Sequence, residues 1–154
     1  MKKLLLAATL SVTVALPPAA AIAAPPGMVI KASPHSASAT LDRLESALKE
    51  NDTAVALRWD HGARAEDEGI DTGPVELLVF GNPALGSHLF TSAQTAGVDL
   101  PMKALAWTDE RGQTWLGYND PGYIAQRHGI DDRDEILAQM ENALDKLSDA
   151  AVAE

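Results

Sequence analysis

The chain contains no cysteine in 154 residues, and its opening residues make that absence a constraint on the fold. Met1-Lys2-Lys3 is followed by an apolar run from Leu4 to Leu16, then Pro17-Pro18 and an alanine-rich stretch. A basic start, a short apolar core and small residues near the end are the three parts of a secretory signal peptide. The run is shorter than the roughly 20 residues a bilayer span requires. The reading is therefore a signal peptide over residues 1–23, cut after Ala21-Ile22-Ala23, rather than a retained anchor. An exported chain is free to use disulfides; this one has no cysteine for them, nor for a lipid anchor. After a flexible lead-in at residues 24–27, what remains must be stabilised by a buried core. Residues 28–150 are read as one globular domain, of ordinary size for a single core. The expected compartment is the periplasm, with release into the medium as the alternative, and no membrane insertion of the mature form is expected.

Charge narrows the partners. Formal net charge is −10, and loss of Lys2 and Lys3 with the signal takes it to −12. A surface this acidic repels phosphate backbones and anionic lipids, so nucleic-acid binding is not expected.

Hydrophobic periodicity predicts a mixed α+β order. Met28–Ser33 reads as a strand. Ser36 is an N-cap for an amphipathic helix carrying Leu41, Leu44, Ala47 and Leu48 and ending near Asn51. Val55, Leu57 and Trp59 alternate with Ala54, Ala56 and Arg58 in a strand over residues 53–60. A polar stretch follows, with one helical turn around residues 63–68. Val75–Gly81 is almost continuously apolar, the pattern of a strand buried on both faces. Asn82-Pro83 reads as cap and first helical residue of a helix reaching about Ala96. Residues 102–108 and 113–119 form a hairpin about the turn Asp109-Glu110-Arg111-Gly112. Asp120-Pro121 opens a helix that Gly129 stops. Asp132 with Glu135 resembles a capping box for a last helix, striped by Ile136, Met140, Ala143 and Leu147 and running to about Ala150. The sum is about five strands in an antiparallel sheet, with the long helices on one face.

Three groups of residues invite a chemical reading. The four histidines, His35, His61, His88 and His128, include no pair spaced to share one helix face, so a metal would need ligands from separate elements. His61, beside Asp60, and His128 stand at element ends, where side chains converge on sites. Trp115, Tyr118, Asn119, Asp120, Pro121 and Tyr123 form an aromatic and polar cluster of the kind that lines pockets, although each also has a structural role open to it. Phe80-Gly81-Asn82-Pro83 is a glycine turn into a helix start, but it lacks the spacing of a phosphate loop. No nucleophile elbow and no cysteine nucleophile is present.

Taken in order, Ser33-Pro34-His35-Ser36, Leu41-Asp42-Arg43-Leu44, Asp60-His61, Phe80-Gly81-Asn82-Pro83, Asp99-Leu100-Pro101, Tyr118-Asn119-Asp120-Pro121 and Arg127-His128-Gly129 resemble the bacterial domain-of-unknown-function family 302. The resemblance covers residues 28–147. It implies helices packed against an antiparallel sheet of the TATA-binding-protein-like type, without DNA binding, and it implies a homodimer. Ala84 departs from the basic residue that follows the Asn-Pro turn in the family pattern, and His88 from a nearby proline. The resemblance implies no catalytic residues and no cofactor.

The expected function is non-catalytic binding of a small ligand or an envelope protein, through Asp60, His61, Asn82, Tyr118, Asn119, Tyr123 and His128. The alternative is a metal-dependent or acid/base activity centred on His61 and His128, with Asp60.

Overall fold

The computed structural model describes residues 23–154, so residues 1–22 of the expected signal lie outside the described residues. Five strands, β1 (Met28–Ser33), β2 (Ala54–Asp60), β3 (Val75–Gly81), β4 (Met102–Thr108) and β5 (Thr114–Asn119), form one sheet in the order β1-β5-β4-β3-β2. Every neighbouring pair is antiparallel. Among the described residues, five α-helices accompany it: α1 (Ala37–Glu50), α2 (His61–Asp67), α3 (Pro83–Ser92), α4 (Pro121–His128) and α5 (Asp134–Val152).

Local chemistry places most of these boundaries. Ser36, Asp60, Asn82 and Asp120 each accept a backbone N–H of the helix they open, and proline holds the first position of α3 and α4. Gly129 ends α4 in the left-handed region at φ 67°, which a side chain would resist. Two expectations give way. The helix after Asn82 stops at Ser92, and a 3₁₀ segment, Gln94–Val98, follows it. The Asp132–Glu135 capping box does not form, because Arg133 occupies the cap position without a side-chain bond. Asp132 instead accepts from Ser92 Oγ at 2.6 Å and from Arg133 at 2.7 Å.

Strand alternation divides the sheet into two unlike faces. Leu78, Phe80, Met102, Ala104, Ala106, Leu116 and Tyr118 share one face and are buried with Leu41, Leu44 and Leu48 of α1 and Met140, Leu144 and Leu147 of α5. Polar links fasten the layers. Ser33 Oγ and Thr40 Oγ1 lie 2.7 Å apart, and Lys31 donates to Asp145 and Asp149 of α5 at 2.6 Å each. Arg58 donates to Glu76, to Asp42 and to the Ser38 carbonyl of α1. Arg43 closes the C-terminal end of α5 by donating to the carbonyls of Ala150, Ala151 and Ala153.

Among the described residues, the opposite face carries no long helix, only the short α2, whose Arg64 lies 5.0 Å over the Trp59 ring, so β3 is less covered there. Leu78 and Phe80 are buried, whereas Val75, Leu77 and Val79 are half-buried. The buried stripe of α5 is also rotated from the expected one. It consists of Leu137, Met140, Leu144, Leu147, Ser148 and Ala151, with Ile136 only flanking the core.

Candidate functional site

A cleft of about 790 Å³ lies at one end of the helix–sheet layer. The last turn of α1, the start of β2, the end of β3, α3 and the middle of α5 enclose it. Phe80, Leu100, Met102, Met140, Leu144 and Leu147 supply walls that belong to the core itself. Leu85, Gly86 and Phe90 of α3 form another side, with Phe90 37% exposed. Small residues on the lining, among them Ala54, Ala56, Gly81 and Ala143, keep it open. Its solvent-exposed lining residues include Glu50, Asn51, Gln139, Asn142 and Lys146. An apolar hollow edged by a few polar groups is the general form of a small-molecule site.

Of the seven expected binding residues, only Asn82 lines this cleft, together with Phe80, Gly81 and Pro83 of the same glycine turn. The Asn82 side-chain oxygen Oδ1 accepts from the Ala84 amide at 2.9 Å and caps α3. Asp60 caps α2 through the Ala63 amide at 2.8 Å, and His61, exposed, is the first residue of that helix. Tyr118 lies beneath α5, 5% exposed, with its hydroxyl 3.5 Å from Ser148 Oγ. Asn119 ends β5 opposite Met28. Tyr123 is 38% exposed and lays its ring over Gly27, whose lack of a side chain permits the contact. The aromatic cluster is thus divided between the core, a strand end and the surface, because Tyr118 and Asn119 point to opposite faces of β5.

His128 belongs to a different polar centre. Its Nε2 lies 2.7 Å from Asp99 Oδ2 and its Nδ1 3.0 Å from Thr95 Oγ1, while Arg127 donates to Asp99 Oδ1 at 3.0 Å. These bonds tie the end of α4 to the 3₁₀ segment. Hydroxyl, imidazole and carboxylate follow one another as in an acyl-transfer triad, yet none of the three lines the cleft. Both ring nitrogens of His128 already have partners, and His61 sits on another element. Among the described residues, no group of three or more histidine, aspartate or glutamate side chains is placed to hold a metal ion.

Two charge shifts are structural. Burial opposes the charge on Lys31, but the bonds to Asp145 and Asp149 outweigh it and raise the ammonium above its ordinary 10.5. Trp115 Nε1–H donates to Asp109 Oδ2 at 2.9 Å. That bond holds the Asp109 carboxyl below its ordinary 3.8, against a smaller desolvation effect and with help from the amides of Gln113 and Arg111.

The sequence reading missed the walls of the cleft: Leu85, Gly86, Phe90, Met140 and the polar residues of α5. One signal was present. Leu85, Leu89 and Phe90 cover more of α3 than one buried stripe needs; Leu89 turns to the core, and the other two face the cleft.

The architecture defines a class, an α+β domain in which an antiparallel sheet carries helices on one face. Within that class, the chain belongs to the family described as Domain of unknown function DUF302, which matches residues 29–147. A crystal structure of an uncharacterized conserved DUF302 protein from Bacillus stearothermophilus has a TM-score of 0.74 at 21% identity, covering 82% of this chain and 99% of that one. The likeness is of fold. Two curated relatives named Fluoride-specific ion channel FluC 1, from Brucella suis biovar 1 (strain 1330) and Brucella abortus biovar 1 (strain 9-941), are 43% identical over 104 residues. The match covers 68% of this chain and 41% and 38% of theirs, so the chain spans about two fifths of the length of these relatives.

Proposed function

We propose that this is a non-catalytic binding protein, exported to the periplasm, that takes a small apolar or amphiphilic molecule in the cleft between α1, α3 and α5. The supporting observation is the cleft itself. Its volume of about 790 Å³ falls within the roughly 300–1,000 Å³ of ligand pockets. Its walls come from rigid core elements, which lowers the ordering cost of binding. A chain or ring system would lie along Phe80, Met140 and Leu144, and its polar end would meet Asn142 and Lys146.

Amide NMR with dodecanoic acid as the probe tests this reading. Saturable shifts are expected at Gly81, Gly86 and Asn142, with Gly117 of β5 unmoved. Shifts confined to other surfaces, or none at millimolar probe, would remove the cleft as the site.

A second reading rests on the relatives. The segment they share with this chain lies within longer chains named as fluoride-specific ion channels, which supports docking to a membrane transport protein of the envelope. Added in trans to a Brucella relative stripped of the matched segment, this protein is expected to restore the relative's fluoride conductance. No change in conductance removes that reading.

A further inference from the structure

The acidic character of the chain stops at the cleft. Of its 22 aspartates and glutamates, Glu50 is the one that lines the cleft, and Lys146 is the one cation there. The other described lysines are engaged: Lys31 with Asp145 and Asp149, Lys49 with Glu45, Lys103 with the carbonyls of Asp99 and Pro101. Lys146 has no such partner among the described residues, and it stands on α5 between Leu144 and Leu147 of the apolar wall. Glu50 is the last residue of α1, where the helix end adds partial negative charge. The cleft thus presents a positive and a negative pole at the edge of one hydrophobic hollow.

A second feature extends the negative pole. An open groove of about 410 Å³ between α1 and α5 adjoins the cleft and shares Ala47, Glu50 and Ala150 with it. The other charged residues of this groove are taken: Asp42 accepts from Arg58, and Arg43 donates to the carbonyls of Ala150, Ala151 and Ala153. Glu50 is the charge left for a ligand where the two hollows meet.

We infer that the cleft selects a single-chain amphiphile with a zwitterionic head group, a lysophospholipid by chemical class. The inference rests on the binding reading above and adds to it the charge of the ligand. The chain lies on Phe80, Met140 and Leu144. The phosphate, next to the chain, meets Lys146, and the ammonium, farther out, meets Glu50 at the groove. An anionic head would satisfy Lys146 but face Glu50 and the field of a chain with formal charge −10. A cationic head would leave Lys146 opposing it. A zwitterion carries no net charge into that field and matches both poles, which is how charge sets specificity. Both side chains are exposed, and exposed ion pairs are individually weak, so each pole is expected to contribute about threefold in affinity.

Amide NMR at Gly81, Gly86 and Asn142 tests this with three probes of one chain length, each below its micelle-forming concentration: dodecylphosphocholine, dodecanoate and dodecyltrimethylammonium. Dodecylphosphocholine is expected to bind about threefold tighter than either singly charged probe. Glu50→Gln is expected to erase its advantage over dodecanoate, and Lys146→Met its advantage over the cation. Glu141→Gln, which removes one charge from an exposed site of α5 outside the cleft, is expected to erase neither. Phosphocholine without a chain is expected to give no saturable shift. Equal binding of the three probes overturns the head-group assignment and leaves the cleft as an apolar site. So does an advantage that survives Glu50→Gln and Lys146→Met, or that Glu141→Gln also removes. Phosphocholine binding as tightly as dodecylphosphocholine overturns the amphiphile. If no probe moves the three amides, the cleft is not the site and both readings fall.

Discussion

Replacing Gly86 by leucine is expected to stabilise the domain while closing its cleft. Gly86 lies inside α3 on the cleft wall, and a Cβ built there meets nothing within 4 Å. Its amide donates to the Asn82 carbonyl at 2.9 Å, an ordinary helical bond that any residue but proline can make. Glycine in a helix interior costs about 0.8–1.0 kcal/mol relative to alanine, and leucine costs little. The substitution is thus worth about 0.7 kcal/mol of stability, or about 2–4 °C in Tm for a domain of this size. Gly86 lines the cleft, so the new isobutyl group is expected to take up part of its volume. Thermal melts followed by circular dichroism, paired with the dodecanoic acid titration, read both effects. The expected result is a higher Tm with probe binding weakened at least tenfold. A lower Tm would mean that the space beside Gly86 is occupied in solution. Unchanged probe binding would mean that the ligand lies elsewhere. Either result refutes the reasoning, because a stabilised fold cannot lose binding through unfolding.

Three further outcomes follow from the polar links. Arg58→Ala strands Glu76, whose side chain is 13% exposed, without its guanidinium; the loss is expected at about 1–3 kcal/mol in urea denaturation. Asp109 is expected to titrate below 3.8 by carboxyl NMR, and Trp115→Phe to raise it, since the indole bond is the largest cause of the shift. Its contribution to stability is present above pH 3.8 and lost as pH falls through the lower folded value. Lys31 has the opposite sign. Its raised pKa makes the contribution full below pH 10.5 and lost as pH rises through the higher folded value. The stability gap between the wild type and Lys31→Met is therefore expected to be constant near neutrality and to narrow in alkali.

The parts of this molecule that were legible in its sequence are those governed by neighbours in the chain. Asn82-Pro83 and Asp120-Pro121 announced helix starts because a short side-chain oxygen satisfies free amides and proline lacks the amide that would go unpaired. Gly129 announced a stop because the left-handed turn there is free of backbone strain only for glycine. The alternation in β2 and β5 was readable too, but alternation says which residues share a face and not which face the helices cover. Tyr118 was read as a ligand contact and is buried in the core, while Leu57 and Trp59, on one face of β2, are exposed. The apolar run of β3 suggested burial on both sides, but only Leu78 and Phe80, on the side of the long helices, are fully buried.

What the sequence by itself determined is the order of the strands and helices and most of their starts, the need for a core without disulfides, and family membership over residues 29–147. Those follow from short-range sterics, hydrogen bonding and hydrophobic period. The tertiary structure alone decided the cleft, the Thr95–His128–Asp99 centre and the less covered sheet face. The cleft joins Asn51, Phe80, Gly86 and Lys146 across nearly a hundred positions of chain, and no local rule encodes their meeting. It exists where α3, α5, the end of α1 and the β2–β3 edge meet and small residues such as Ala54, Gly81 and Ala143 leave space unfilled, an arrangement set by the whole core at once.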